Sequence, residues 1–138
     1  ALSIPLIAVD SLLNLAKIAA DKYPDSPLCP MIDARRLEVY NAIYDTQLSP
    51  LKDISADILD ENSYSDFEPF VYFGDGASKM EELWKGRNVT IDHSISCSAK
   101  GHAKLAYSKF CNSVFEDVAY FEPFYLKDFQ GGKKVSTN

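Results

Sequence analysis

A chain of 138 residues can bury one modest core and has no room for two full domains of about 100–150 residues each. Its 46% hydrophobic, 25% charged and 12% aromatic residues are the balance of an ordered globular protein and exclude the disordered and fibrous classes. A formal net charge of -6 excludes a domain that grips nucleic acid unaided, because phosphate binding needs a basic stripe that releases counterions.

The first seven-residue run, Ile4 to Asp10, is apolar and leads to Ser11, the expected N-cap of a helix over residues 11–21. Leu12, Leu15, Ala16 and Ala19 follow helical spacing, and Leu13, Ile18 and Ala20 extend the apolar surface nearly all round, which predicts packing on several sides. Pro24 and Pro27 stop this helix. Leu28 to Asp33 and Leu37 to Asp45 read as strands of an antiparallel hairpin joined at Arg35-Arg36. On the second strand Leu37, Val39 and Ile43 share one face, and Glu38, Tyr40 and Tyr44 the other, the period of a half-buried strand.

A weaker third strand is expected around residues 48–54, and a polar loop or short helix over 60–66. Pro69 to Phe73 is a predicted buried strand, followed by Gly74-Asp75-Gly76 and a helix carrying Ala77, Met80, Leu83 and Trp84 on one side. Residues 88–91 form another short strand in this reading. Ser98 caps a second helix whose stripe is Ala99, Ala103, Ala106 and Phe110. The aromatic tail from Tyr120 to Phe129 is expected to cover the core, and residues 130–138 to fray. A hairpin followed by alternating helices and strands gives an α/β fold, a mixed sheet flanked by helices, of which the ribonuclease-H-like layout is one form.

Four segments resemble the TsaB family, also called the glycoprotease-like family: Ile4 to Leu12, Pro30 to Tyr40, Val71 to Ala77 and Tyr120 to Phe129. The most specific is Ile32-Asp33-Ala34-Arg35-Arg36 with Glu38-Val39-Tyr40 following. The resemblance implies an actin-like ATPase (ASKHA) architecture built from two ribonuclease-H-like halves. This chain would hold residues 1–21 as the last strand and linking helix of the first half, residues 22–129 as the C-terminal half, and residues 130–138 as a flexible tail. The resemblance also implies a non-catalytic accessory subunit of the complex that makes N6-threonylcarbamoyladenosine in tRNA. Its implied partners are a TsaD-type catalytic subunit and a TsaE-type ATPase, with tRNA reached only indirectly.

Gly74-Asp75-Gly76 precedes an expected helix, where backbone N–H groups and the helix dipole hold a phosphate; the competing reading is a tight turn that needs glycine dihedrals. No Walker-type Gly-Lys-Ser/Thr follows. Arg35 and Arg36 present paired guanidinium groups to a partner's carboxylate or to a phosphate, against the alternative of a solvated turn. Asp92-His93-Ser94 has the residue types of a hydrolase triad, but neighbours in an extended chain point to opposite faces. His93 and His102 stand nine apart, without the i, i+4 spacing of a helical metal pair, so no metal is expected; no cofactor is expected either. Cys29, Cys97 and Cys111 are odd in number and widely spaced, which suggests neither a disulfide framework nor a zinc site and fits a reducing cytoplasm. No leader and no membrane span are expected. The alternatives to an accessory subunit are a peptidase or actin-like kinase half, and a self-associating module that forms a homodimer.

Overall fold

The predicted hairpin forms from Leu28–Asp33 (β1) and Glu38–Tyr44 (β2), with Leu28 opposite Tyr44 and Asp33 opposite Val39. In the computed structural model, which describes residues 4–121, three further strands extend it: Pro50–Ile58 (β3), Phe70–Phe73 (β4) and Val89–Asp92 (β5). They make one five-stranded sheet in the order β3-β2-β1-β4-β5. The first three strands are antiparallel, and β4 and β5 run parallel to β1. The predicted weak third strand is instead the longest of the five, because β2 offers it a partner along its whole length, from Glu38 opposite Ile58 to Tyr44 opposite Pro50.

Two helices complete the described chain, Ser11–Lys22 (α1) and Ala99–Cys111 (α2). The cap of α1 is Asp10 and not Ser11: the Asp10 carboxylate accepts from the Leu13 N–H at 2.9 Å, and Ser11 is the first helical residue. Residues 4–10 do not form a full strand. Among the described residues Leu6 makes a single antiparallel bridge, to Glu116.

Both faces of the sheet are covered, so the period of two in β1, β2 and β4 sorts side chains between two cores and not between core and water. One core gathers Cys29, Met31, Val39, Ile43, Phe70 and Tyr72 beneath Leu59, Met80 and Trp84. The other places Leu28, Val71 and Phe73, together with Ala42 and Tyr44, against Leu12, Leu15, Ala16 and Ala19 of α1. Leu37, expected on the buried face of the second strand, lies before β2 and is exposed, because the hairpin turn carries it past the edge of the core.

The helix predicted after Gly76 is a single 3₁₀ turn, Ala77–Met80, followed by turns. Ala77, Met80 and Trp84 are buried, but Leu83 is exposed. Regular α-helical spacing fails here because Trp84 has to reach the aromatic group beneath it. Its ring meets Tyr64, Phe70 and Tyr72 edge-on at centroid distances of 6.2, 5.8 and 5.0 Å. In α2 the predicted stripe is likewise not the buried one, and Ala103 and Phe110 face outward. The buried position is Gly101, where a Cβ would stand 2.5 Å from Asn14 Oδ1 and 2.6 Å from Ile18 Cγ1 of α1. The closest helix–helix approach, not the alanine spacing, sets the rotation of α2. Of the aromatic tail only Tyr120 and Phe121 are described, both exposed, and the rest of that expectation lies outside the described residues.

A polar network fastens β3 and the following loop to the hairpin. Asn41, fully buried in β2, donates to Asp57 Oδ2 at 3.3 Å. Ser55 Oγ donates to the same oxygen at 2.8 Å, the Tyr64 hydroxyl also donates to it, and Lys52 lies 3.1 Å away. Burial alone would raise the Asp57 pKa, but the bonds from Tyr64, Ser55 and Lys52 outweigh it and hold the carboxyl at about 2. A carboxyl held below its unfolded value of about 3.9 contributes stability above that pH and loses it as the pH falls through the folded pKa. Stability should therefore decline between about pH 4 and pH 2. In Asp57→Asn, urea melts should show lower stability at pH 7 and a flatter decline across that window.

Candidate functional site

The carboxyl ends of the parallel strands β1, β4 and β5 lie side by side, the edge at which open α/β sheets bind ligands. Two groups of polar residues occupy it.

The first group joins the hairpin turn to the glycine loop. Asp75 Oδ1 accepts the Asp33 N–H at 2.8 Å, and Gly76 N–H donates to the Met31 carbonyl at 3.2 Å. Gly74 has φ +105° and lies so close to β1 that a Cβ would stand 2.1 Å from the Met31 carbonyl oxygen. Both glycine dihedrals and close approach are therefore required at this position. The loop is held against β1 by its own hydrogen bonds, and the element after it is one 3₁₀ turn, too short to carry the helix dipole on which the phosphate reading depends.

Asp33 Oδ1 accepts the Arg35 N–H at 2.7 Å and meets Lys79 Nζ at 2.5 Å. The Lys79 ammonium, and after it the Arg35 amide, lower the Asp33 pKa. Lys79 also donates to the Glu38 carbonyl at 3.0 Å, so it ties the 3₁₀ turn to both sides of the hairpin. Sequence reading missed Lys79, whose only signal was its position one residue before the buried Met80.

Arg35 and Arg36 occupy consecutive left-handed conformations, φ 75° and 53°. Both are exposed. For residues with a Cβ this conformation costs about 1–2 kcal/mol each, and asparagine or glycine would adopt it more easily. Strain of this kind, retained at an exposed turn, is a reason to look for a functional demand on the side chains.

The second group lies at the end of β5. Asp92 is buried and accepts Lys22 Nζ at 2.6 Å, the Tyr23 hydroxyl at 2.6 Å, and both the N–H and Oγ of Ser94 at 2.8 and 2.6 Å. These bonds, Lys22 first, hold the Asp92 carboxyl well below the usual range, and the same carboxylate raises the Lys22 pKa. Ser94 also lies 3.3 Å from Lys22, but a lysine held in its protonated form cannot act as the base of a serine–lysine pair. His93 points away from this group, with Nε2 3.1 Å from Glu81 Oε1. Asp92, His93 and Ser94 thus do not form a proton relay. The Asp92 group instead clamps the end of α1 to the sheet. Lys22 and Tyr23 were not signalled by the sequence, which shows them only as the polar end of a helix. His102 is exposed on α2, away from both groups.

An antiparallel hairpin extended on one side by an antiparallel strand and on the other by two parallel strands is the mixed α/β sheet of a ribonuclease-H-like half of the actin-like fold. The family model described as "TsaD: tRNA N6-adenosine threonylcarbamoyltransferase" matches residues 1–135, and the chain belongs to this family. No curated protein matches the chain. Two solved structures from Pseudomonas aeruginosa share its fold. YeaZ superimposes with a TM-score of 0.70 at 23% identity, over 88% of this chain and 60% of that one. An uncharacterized protein with similarity to peptidase YeaZ gives 0.67 at 22% identity, over 89% and 59%. The chain therefore spans about three fifths of the length of these structures. Among the described residues, no helix is long and apolar enough to cross a membrane.

Proposed function

We propose that the chain is part of a TsaB-type accessory subunit in the synthesis of N6-threonylcarbamoyladenosine in tRNA. It supports a TsaD-type catalytic subunit, acts together with a TsaE-type ATPase, and contributes no catalytic group of its own. The observation that carries this reading is the family match over residues 1–135. The strand-end geometry favours the accessory side of the family: Asp33, Asp75, Lys79, Asp92 and Ser94 are engaged with one another or with backbone, and His93 and His102 lie apart. With its acidic balance the domain would leave tRNA to a partner.

Nucleoside mass spectrometry of tRNA from cells depleted of the parent gene tests the reading. Loss of threonylcarbamoyladenosine, restored by re-expression of the parent gene, is the expected result, and unchanged modification would sink the assignment. Within this reading Arg35 and Arg36 are partner contacts. Asparagine at the first position and glycine at the second would relieve the left-handed strain, so Arg35→Asn with Arg36→Gly should raise stability by about 1–2 kcal/mol. The same pair of changes should weaken binding to the TsaD-type subunit at least tenfold by calorimetry. A stability gain with unchanged binding would remove the arginines from the interface.

A further inference from the structure

Beside the hairpin turn lies an open groove of ≈ 660 Å³, lined by Lys79 but by none of the Asp92 group. Leu37, Leu59, Met80 and Leu83 supply its apolar surface, and Asp60, Glu61 and Glu82 stand with them along it. Leu37 is 66% exposed and Leu83 42%, although both are large aliphatic side chains and the buried Leu59 and Met80 lie beside them.

The walls are built and not merely open. Asp60 accepts the Asn62 N–H at 2.8 Å and Ser63 Oγ at 3.0 Å, and its own carbonyl receives the Trp84 indole N–H at 2.9 Å. Arg87 donates to the Glu61 carbonyl at 3.0 Å and the Ser63 carbonyl at 2.9 Å, which fixes the loop without neutralising the Glu61 carboxylate. Among the described residues that line the groove Lys79 is the single cation, and its charge is matched by Asp33. An apolar surface with three carboxylates along it, on a chain of net charge -6, repels nucleic acid and anionic partners and complements a positive one.

We propose that this groove docks a basic, amphipathic segment of a partner protein, which places an aliphatic or aromatic side chain between Leu37 and Leu83 and its lysine or arginine side chains against Asp60, Glu61 and Glu82. This proposal rests on the groove alone and is independent of the tRNA-modification reading.

The test is an NMR titration of the 138-residue chain with three synthetic twelve-residue peptides: leucine and lysine in amphipathic spacing, the same pattern with glutamate for lysine, and the same pattern with serine for leucine. The leucine–lysine peptide should shift the amides of Leu37, Leu59 and Leu83 and bind at least tenfold more tightly than the other two. Leu83→Ser, an exposed change whose folding circular dichroism checks, should weaken it about tenfold, as should Glu61→Lys with Glu82→Lys. Equal binding of the serine–lysine peptide would overturn the proposal, since charge alone would then account for it. Equal binding of the leucine–glutamate peptide, or binding unchanged by Leu83→Ser, would overturn it as well. If sedimentation velocity shows a dimer that Leu83→Ser dissolves, the groove's occupant is a second copy and the proposal fails.

Discussion

Gly74→Ala should lose about 3 kcal/mol or more of stability, with or without nucleotide present. The new methyl would have to occupy a point 2.1 Å from the Met31 carbonyl oxygen, which is backbone and cannot swing aside. The glycine also has φ +105°, a conformation that alanine resists. To admit the methyl, β4 would have to move away from β1 at the Pro30–Phe73 pairing, loosening the turn that Gly76 and Asp75 fasten to the hairpin. Urea denaturation with and without millimolar MgATP separates the two readings of this loop. An equal loss in both conditions marks the glycine as a packing device. If MgATP stabilises the parent chain and that gain disappears in Gly74→Ala, the loop holds nucleotide.

Trp84→Ala is expected to be the more damaging change, at about 3–5 kcal/mol, and it falls on the core that gathers Met31, Phe70 and Tyr72. That is a large fraction of the roughly 5–15 kcal/mol by which a domain of this kind is stable. The indole is 2% exposed, meets three aromatic rings edge-on, and donates to the Asp60 carbonyl. The Arg87 guanidinium lies 4.8 Å above its ring and holds Glu68 at 2.6 Å. Removing the ring would empty the centre of this cluster and take from the loop over residues 59–69 its packing surface and the bond to the Asp60 carbonyl, leaving the Tyr64 and Arg87 bonds to hold it. Hydrogen exchange should therefore show the amides of that loop losing protection well before those of β1. Trp84→Phe keeps most of the packing but leaves the Asp60 carbonyl without its donor, so its loss should be nearer 1–2 kcal/mol. A loss below about 1 kcal/mol in Trp84→Ala would show that the loop is held from elsewhere.

The sequence alone determined the elements whose signals are local. The β1–β2 hairpin, the buried strand β4, the helix α1 and the Ser98 cap of α2 follow from side-chain period, proline stops and capping chemistry, which act within a few residues. The order of these elements gave the mixed α/β class, and the run Ile32 to Tyr40 was the most specific of the four segments whose resemblance implied the actin-like architecture. Tertiary structure alone decided which side chains meet. Lys22 and Tyr23 reach Asp92 across about seventy positions, and Lys79 reaches Asp33 across more than forty, separations over which no local pattern carries information. It also decided that the stretch after Gly76 is a 3₁₀ turn and that α2 buries Gly101, because the reach of Trp84 into its aromatic cluster and the contact distance between helices outweigh local helical spacing. Long-range packing is set by shape and distance in three dimensions, and a one-dimensional period records only which residues are apolar.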